Sequence, residues 1–454
     1  MSSGSFVSTT RGVRTTATKA GRDVNVPVGR PGHGGAGLRG TAKVFLEPGC
    51  ARDRMARDTG KILATTLLGT MDTNALVPII ALYAATLGAD VVQVGIIVGL
   101  YSAVHAPANL LFGRLADRWG RIRPLQIGLA WDAVSLVLYA VATDPLQLAL
   151  ARVSHGLGGG LVGPSTMSLA SDLAAPDRKG RTMALYGMSI ALAVVLGFGI
   201  SGPVVRRLGY SALFTILAVG LVTGLAISVR IREPSKVREK GRLDTASLAA
   251  YLRSPGPAAG YAAIFSLYVM LGAFTALVPL HLQETLGYGP LEVGLAFTAF
   301  GVFSLVLHYP AGVLADRLGS AVPAFVGLLA TAAAMAVIPL ARDVPSILLT
   351  MAVFGVGHGF VFPSSSALVI RVAPREVSGV VTGLFYAILV AGVAIGAPTM
   401  AAVAYPSNYG VGIWASAWVA FFGIALLLRA MYGSVAPARP AGSARSAADA
   451  EPRP

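Results

Sequence analysis

The 454-residue chain has one cysteine, Cys50, which excludes an intramolecular disulfide framework and any cysteine-based metal site. Charge is scarce as well: 13% of residues are Asp, Glu, Lys or Arg, against 54% hydrophobic and a mean hydropathy of +0.68. A soluble domain of this length carries more charge than that, whereas a polytopic helical membrane protein does not need to. Acidic residues are the rarer sign, 21 against 36 basic ones, for a formal charge of +15. Such an excess would suit nucleic acid, but the basic residues fall in loops and tails rather than on an aromatic-studded face. Membrane topology accounts for them, and no nucleic-acid partner is expected. There is no H-x-x-x-H pair or acidic cluster to suggest a metal, and no nucleophile–base constellation to suggest an enzyme. No cofactor is expected. The first 58 residues lack the apolar core of a cleavable signal peptide.

What the chain has in abundance is long apolar runs. Twelve segments are each near the 20 or so residues needed to cross about 30 Å of hydrocarbon. They are 61–87, 91–112, 124–143, 146–170, 181–205 and 210–230, then 258–283, 290–311, 321–341, 345–370, 377–404 and 410–430. Residues 1–58, rich in Gly, Ser, Thr and Arg, are predicted to be a disordered, dispensable tail, whether translation starts at Met1 or at Met55. Residues 431–454 are predicted to be a second such tail. The basic stretch 231–257 reads as a linker between a first bundle (59–230) and a second (258–430), with Thr245–Arg253 a short amphipathic helix on the membrane surface. Loops after even-numbered spans hold nearly all the Lys and Arg, among them Arg118, Arg121, Arg178, Arg238 and Arg371. The opposite loops hold only Arg206, Arg207 and Arg342. Both termini are therefore predicted to be cytoplasmic, in a multi-pass protein of the plasma (inner) membrane.

The charged stretch GRLADRWGRIR, Gly113 to Arg123, returns as GVLADRLGS, Gly312 to Ser320. A shift of 199 residues superposes Asp117 on Asp316, Arg118 on Arg317 and Gly120 on Gly319, and also Gly156, Gly158, Gly160 and Pro164 on Gly355, Gly357, Gly359 and Pro363. One offset held this far implies two tandem copies of one unit, and a six-helix unit repeated in parallel is one of the arrangements transporters are built from. The expected fold is an all-α membrane protein of two pseudo-symmetric six-helix bundles. The G-x-L-A-D-R-x-G-R-x-R stretch resembles the signature loop of the major facilitator superfamily. That resemblance covers residues 58–430 and implies a monomeric secondary transporter of a small-molecule substrate, working by alternating access in the lipid bilayer. The loop residues Gly113, Asp117, Arg118, Gly120, Arg121, Gly312, Asp316, Arg317 and Gly319 are expected to form a conformational gate, Gly113 and Gly120 allowing a tight turn. The plainer reading is a positive-inside anchor.

Few ionisable groups fall inside the spans, and each is a functional candidate because burying it there is costly. Asp72 in helix 1 and Arg152 in helix 4 lie at similar depth, counted at about 1.5 Å per residue from the helix ends, and are expected to pair. An aspartate ahead of a proline in helix 1 is similar to the drug–proton antiporters of the family, and an arginine followed by a glycine-rich run resembles a second family motif. The resemblance implies that both positions face the central cavity and take part in proton coupling. A purely structural ion pair is the alternative. Asp132 in helix 3, peripheral in the family fold, and His155 are further proton-coupling candidates; Asn74, His155 and His358 are further candidates for the substrate cavity. The run Gly156–Gly160 reads as close helix packing rather than a dinucleotide site. Helix 5 departs from the antiporter pattern, since Gly202-Pro203 comes late and lacks a following glycine pair. Proton-coupled efflux is the first reading, import by symport or uniport the second, and a non-transporting sensor a third.

Overall fold

The computed structural model describes residues 48–174, 179–233, 245–374 and 377–435. The predicted tails lie mostly outside them, but where they are described they are helical: α1 begins at Pro48, ten residues before the expected boundary, and α15 runs to Val435. The helices are α1 (Pro48–Leu76), α2 (Ile80–Thr86), α3 (Val91–Trp119), α4 (Ile122–Val141), α5 (Pro145–Asp172), α6 (Lys179–Leu208), α7 (Tyr210–Ser228) and α8 (Thr245–Arg253). The second half continues with α9 (Pro255–Leu280), α10 (Pro290–Leu318), α11 (Ala321–Val337), α12 (Val344–Ile370), α13 (Ser378–Ala404), α14 (Tyr409–Trp418) and α15 (Ala420–Val435). Among the described residues, ten helical stretches are long and apolar enough to cross a membrane, and α1 with α2 makes an eleventh span bent by 49°. The twelfth expected span lies in α5, which is 28 residues long but diluted by Arg152, His155, serines and glycines. The bend between α1 and α2 has a local cause. Pro78 has no N–H to give to the Asn74 carbonyl, and the Val77 amide takes that acceptor instead, at 3.1 Å.

The repeat seen in sequence is kept at the level of caps and turns. Asp90 caps α3 by accepting from the Gln93 amide, and Asp144 caps α5 from the Gln147 amide. At the offset of 199, Gly289 opens α10 with its amide bonded to Glu292, and Asp343 caps α12 from the Ser346 amide. Gly88 and Gly287 both have positive φ, as do Gly120 and Gly319. The "turn" beginning at Gly113 is therefore not one: Gly113 and Gly312 are helical, α3 and α10 run on to Trp119 and Leu318, and only Gly120 and Gly319 need glycine's freedom.

Glycines also show where the two halves meet. A methyl on Gly95 of α3 would lie 2.4 Å from the Ala401 side chain of α13, and one on Gly202 of α6 would lie 2.4 Å from the Pro290 carbonyl at the start of α10. All of these contacts are at the end of the bundle that carries Asp90, where Arg206 also reaches Glu292 across the halves at 4.0 Å. Toward the opposite end, which carries Arg121, methyls on Gly187 of α6 and Gly383 of α13 would meet nothing within 4 Å. Tyr386 of α13 is exposed there. The halves are in close contact at the Asp90 end, while these glycine faces at the Arg121 end are open.

Candidate functional site

The first half buries a connected polar cluster. Asp72, Asp132 and His155 are 1%, 1% and 0% exposed, and Arg152 is 6% exposed. The His155 Nε2 lies 3.1 Å from the Asp72 Oδ2, and its Nδ1 lies 3.1 Å from the Tyr139 hydroxyl. Tyr139 is fixed in turn, because the Tyr83 hydroxyl donates to its carbonyl at 2.7 Å. Thr73 donates to Asp72 Oδ1 at 3.4 Å and its hydroxyl meets that of Tyr101 at 3.3 Å. Asp132 closes the group: one of its carboxylate oxygens, the Asp72 carboxylate and the His155 imidazole lie within 4.8 Å of one another. Gly158 of α5 makes room for it, as a methyl there would sit 2.1 Å from Asp132 Oδ1.

Two expectations change here. Asp72 pairs with His155 rather than Arg152, whose Nε and a terminal nitrogen donate to the Ile97 and Val98 carbonyls at 3.2 and 3.3 Å while its guanidinium sits 5.0 Å above the Tyr101 ring. The direction around the helix favours the residue three positions on. The expected lack of an acidic cluster is also overturned, since Asp72 and Asp132 come from helices far apart in sequence. The donor set is of metal-ligand type, but Arg152 already brings a positive charge to the same Tyr101 ring.

Asn74 is half-buried and gives its side-chain amide to the Thr70 carbonyl at 2.7 Å, outside the cluster. His358 lies in the other half, where Ser304 meets its Nδ1 at 2.7 Å and Phe300, Phe362 and Tyr268 surround the ring. The two halves differ in kind. At the offset of 199, Tyr101, Asp132, Arg152 and His155 become Phe300, Thr331, Met351 and Phe354. The geometry survives the change: the Tyr101–His155 rings are edge-on at 5.0 Å and the Phe300–Phe354 rings edge-on at 5.4 Å. A methyl on Gly357 would lie 2.2 Å from Thr331 Oγ1, just as one on Gly158 meets Asp132. At these four positions the ionisable side chains belong to the first copy alone.

At the Arg121 end the expected gate has partners that the sequence reading missed. Glu233, at the start of the linker, accepts from the Arg121 and Ile122 amides at 2.6 and 3.0 Å, and Gly120 leaves the notch its carboxylate fills. Arg121 reaches Asp172 at 3.3 Å and Ser168 at 3.2 Å on α5. In the second copy Asp316 pairs with Arg371 at 2.5 Å. Asp172 and Arg371 are themselves 199 apart, a signal the sequence held. The side chains of Asp117 and Arg118 lie outside the described residues, and Arg317 is exposed.

The profile of the Major Facilitator Superfamily matches residues 62–289 and again 260–453. The chain belongs to that superfamily. Its similar proteins include an uncharacterised transporter of the superfamily from Methanocaldococcus jannaschii, 22% identical over 73% of this chain and 86% of that one. The synaptic vesicular amine transporter of Bos taurus is 26% identical over 65% of this chain and 57% of its own length. The quinolone resistance protein NorA of Staphylococcus aureus is 24% identical over 51% and 60%. Among solved structures, an inward-facing, occupied bacterial homologue of the lysosomal transporter Spinster superposes with a TM-score of 0.73 at 12% identity, covering 83% of this chain and 97% of that one. The peptide transporter POT gives 0.70 at 15% identity over 85% and 98%. As in these superfamily members, the fold is an all-α, multi-pass membrane fold, and the protein is a transporter, not an enzyme.

Proposed function

We propose that this superfamily member is a proton-coupled exporter of a small, positively charged organic solute. The carrying observation is the buried Asp72–His155 pair beside Asp132. Two carboxylates share one imidazole there, and in the membrane an ionised carboxylate demands a counter-ion. A proton or a cationic substrate can supply it, and if the two exclude each other their fluxes are opposed. The amine and quinolone in the names of two relatives agree with such a substrate. Uptake of an organic anion on Arg152 is the weaker reading, because that guanidinium is already bonded to α3 carbonyls. In this reading the protein works as a monomer in the plasma membrane, the Arg121 end and both termini are cytoplasmic, and the Arg121 end opens to the cytoplasm.

The test is transport in proteoliposomes under an imposed pH gradient, with ethidium, a neutral sugar and benzoate as probes. Ethidium is expected to move against the proton flow, and Asp72→Asn to abolish that movement while retaining part of ethidium binding. Normal pH-driven flux in Asp72→Asn would move the proton site elsewhere, and benzoate moving with the proton flow would favour the symporter.

A further inference from the structure

The cluster is buried, so a proton must reach it, and one face of α3 is built as a way in. Tyr101, His105 and Asn109 recur every four residues, one above another on one side of the helix. They cover about 12 Å, from the level of Asp72 toward the Arg121 end. The upper end is connected: the Tyr101 hydroxyl meets Thr73, which donates to Asp72, and the Tyr101 ring stacks on His105 at 5.1 Å between centroids. The other two steps carry unanswered polar atoms. His105 Nδ1 and Asn109 Oδ1 are both buried without a hydrogen-bond partner, and such atoms are costly unless water answers them. The facing helix keeps the space narrow and free of side chains. A methyl on Gly159 would lie 2.6 Å from the Tyr101 hydroxyl and 3.1 Å from His105 Nδ1, while one on Gly163 would come no nearer than 3.9 Å to Asn109 Oδ1. The gap therefore widens toward the Arg121 end. In the second copy the same positions are Phe300, Ser304 and His308, and Ser304 is already satisfied by His358.

We propose that Tyr101, His105 and Asn109 line a narrow water file that carries protons between the open end and the Asp72–His155 pair. The proton arrives on water from the open end and passes along the file to the Asp72 carboxylate or His155, with no other bond made or broken; release runs the same path in reverse. The inference rests on the proton-coupled reading above, and its test separates the two. In a Cys50→Ser background, His105→Cys and Asn109→Cys are expected to react in membranes with a water-soluble, impermeant maleimide, and Ala103→Cys, on an exposed face of α3, to react at least tenfold more slowly. Unreactive thiols at 105 and 109 would show the stripe to be dry and overturn the proposal. In proteoliposomes, Asn109→Leu is expected to slow pH-driven ethidium flux at least tenfold and to leave ethidium–ethidium exchange, which moves no net proton, within twofold of wild type. Asn109→Ser, which keeps a polar group, should restore most of the flux. Equal loss of flux and exchange would show a merely structural role, and unchanged flux would route the proton elsewhere; either overturns the proposal. If the wild-type protein shows no pH-driven movement of ethidium, the transport reading fails and the proton role with it.

Discussion

Gly158 shows how tightly the polar cluster is built. An alanine methyl there would collide with the Asp132 carboxylate at 2.1 Å, and the buried backbone of α5 has nowhere to retreat. Gly158→Ala is expected to cost about 1–3 kcal/mol, the usual size of overpacking. Asp132→Ala removes the obstacle, so the double variant should cost less than the sum of the two single ones, as thermal unfolding in detergent would measure. Strict additivity would mean that the two residues do not meet. The same residues mark the limit of what could be read from sequence. Asp72, Asp132, Arg152 and His155 all stood out as charges or imidazoles in apolar runs, and all four are buried together. Their partners were not legible, because counting residues from a helix end gives depth but no direction around the axis. Tyr101 and Tyr139, aromatic residues in apolar helices, gave no polar signal of their own.

At the scale of helices, more was legible. The offset of 199 foretold the repeated glycine positions, and the helix Thr245–Arg253 stands where its amphipathic pattern put it. The bounds of α3 and α10 were not, because ADRxG reads as a loop when it is the last turn of a helix. Glu233 escaped notice because its partners are backbone amides, which no side-chain pattern records. That carboxylate faces the N-terminus of α4, where a negative charge is worth about 0.3–1 kcal/mol and is screened by salt. Glu233→Gln should therefore lower thermal stability by that amount at low ionic strength and by less in 1 M salt. A loss independent of salt would point to shape rather than charge. Gly202 offers a sharper test of the contact between the halves, since the Pro290 carbonyl is backbone and cannot swing aside. Gly202→Ala is expected to penalise the conformation described here by about 1.4 kcal/mol, a tenfold shift in population. Ala397→Cys, in the seam between them, should then label faster from the Asp90 end; unaltered labelling would mean that the seam tolerates the methyl.

At the scale of the whole molecule, the two bundles share a plan and divide the chemistry, the first carrying Tyr, Asp, Arg and His where the second carries Phe, Thr, Met and Phe. Their orientation has a native reporter in the only thiol, Cys50, at the start of α1. An impermeant maleimide should label it in everted vesicles and not in intact cells; the reverse pattern would invert the proposed topology and direction of transport. The opposite signs of Asp172 and Arg371 reach into the gene's history. In the first copy an acid ends α5 and serves Arg121, whereas in the second a base ends α12 and serves Asp316. Were recombination to write the first copy's short tract over the second at this point, an aspartate would land beside Asp316. The reverse exchange would set an arginine beside Arg121. Only an exchange long enough to carry both partners would keep the charges matched at each site.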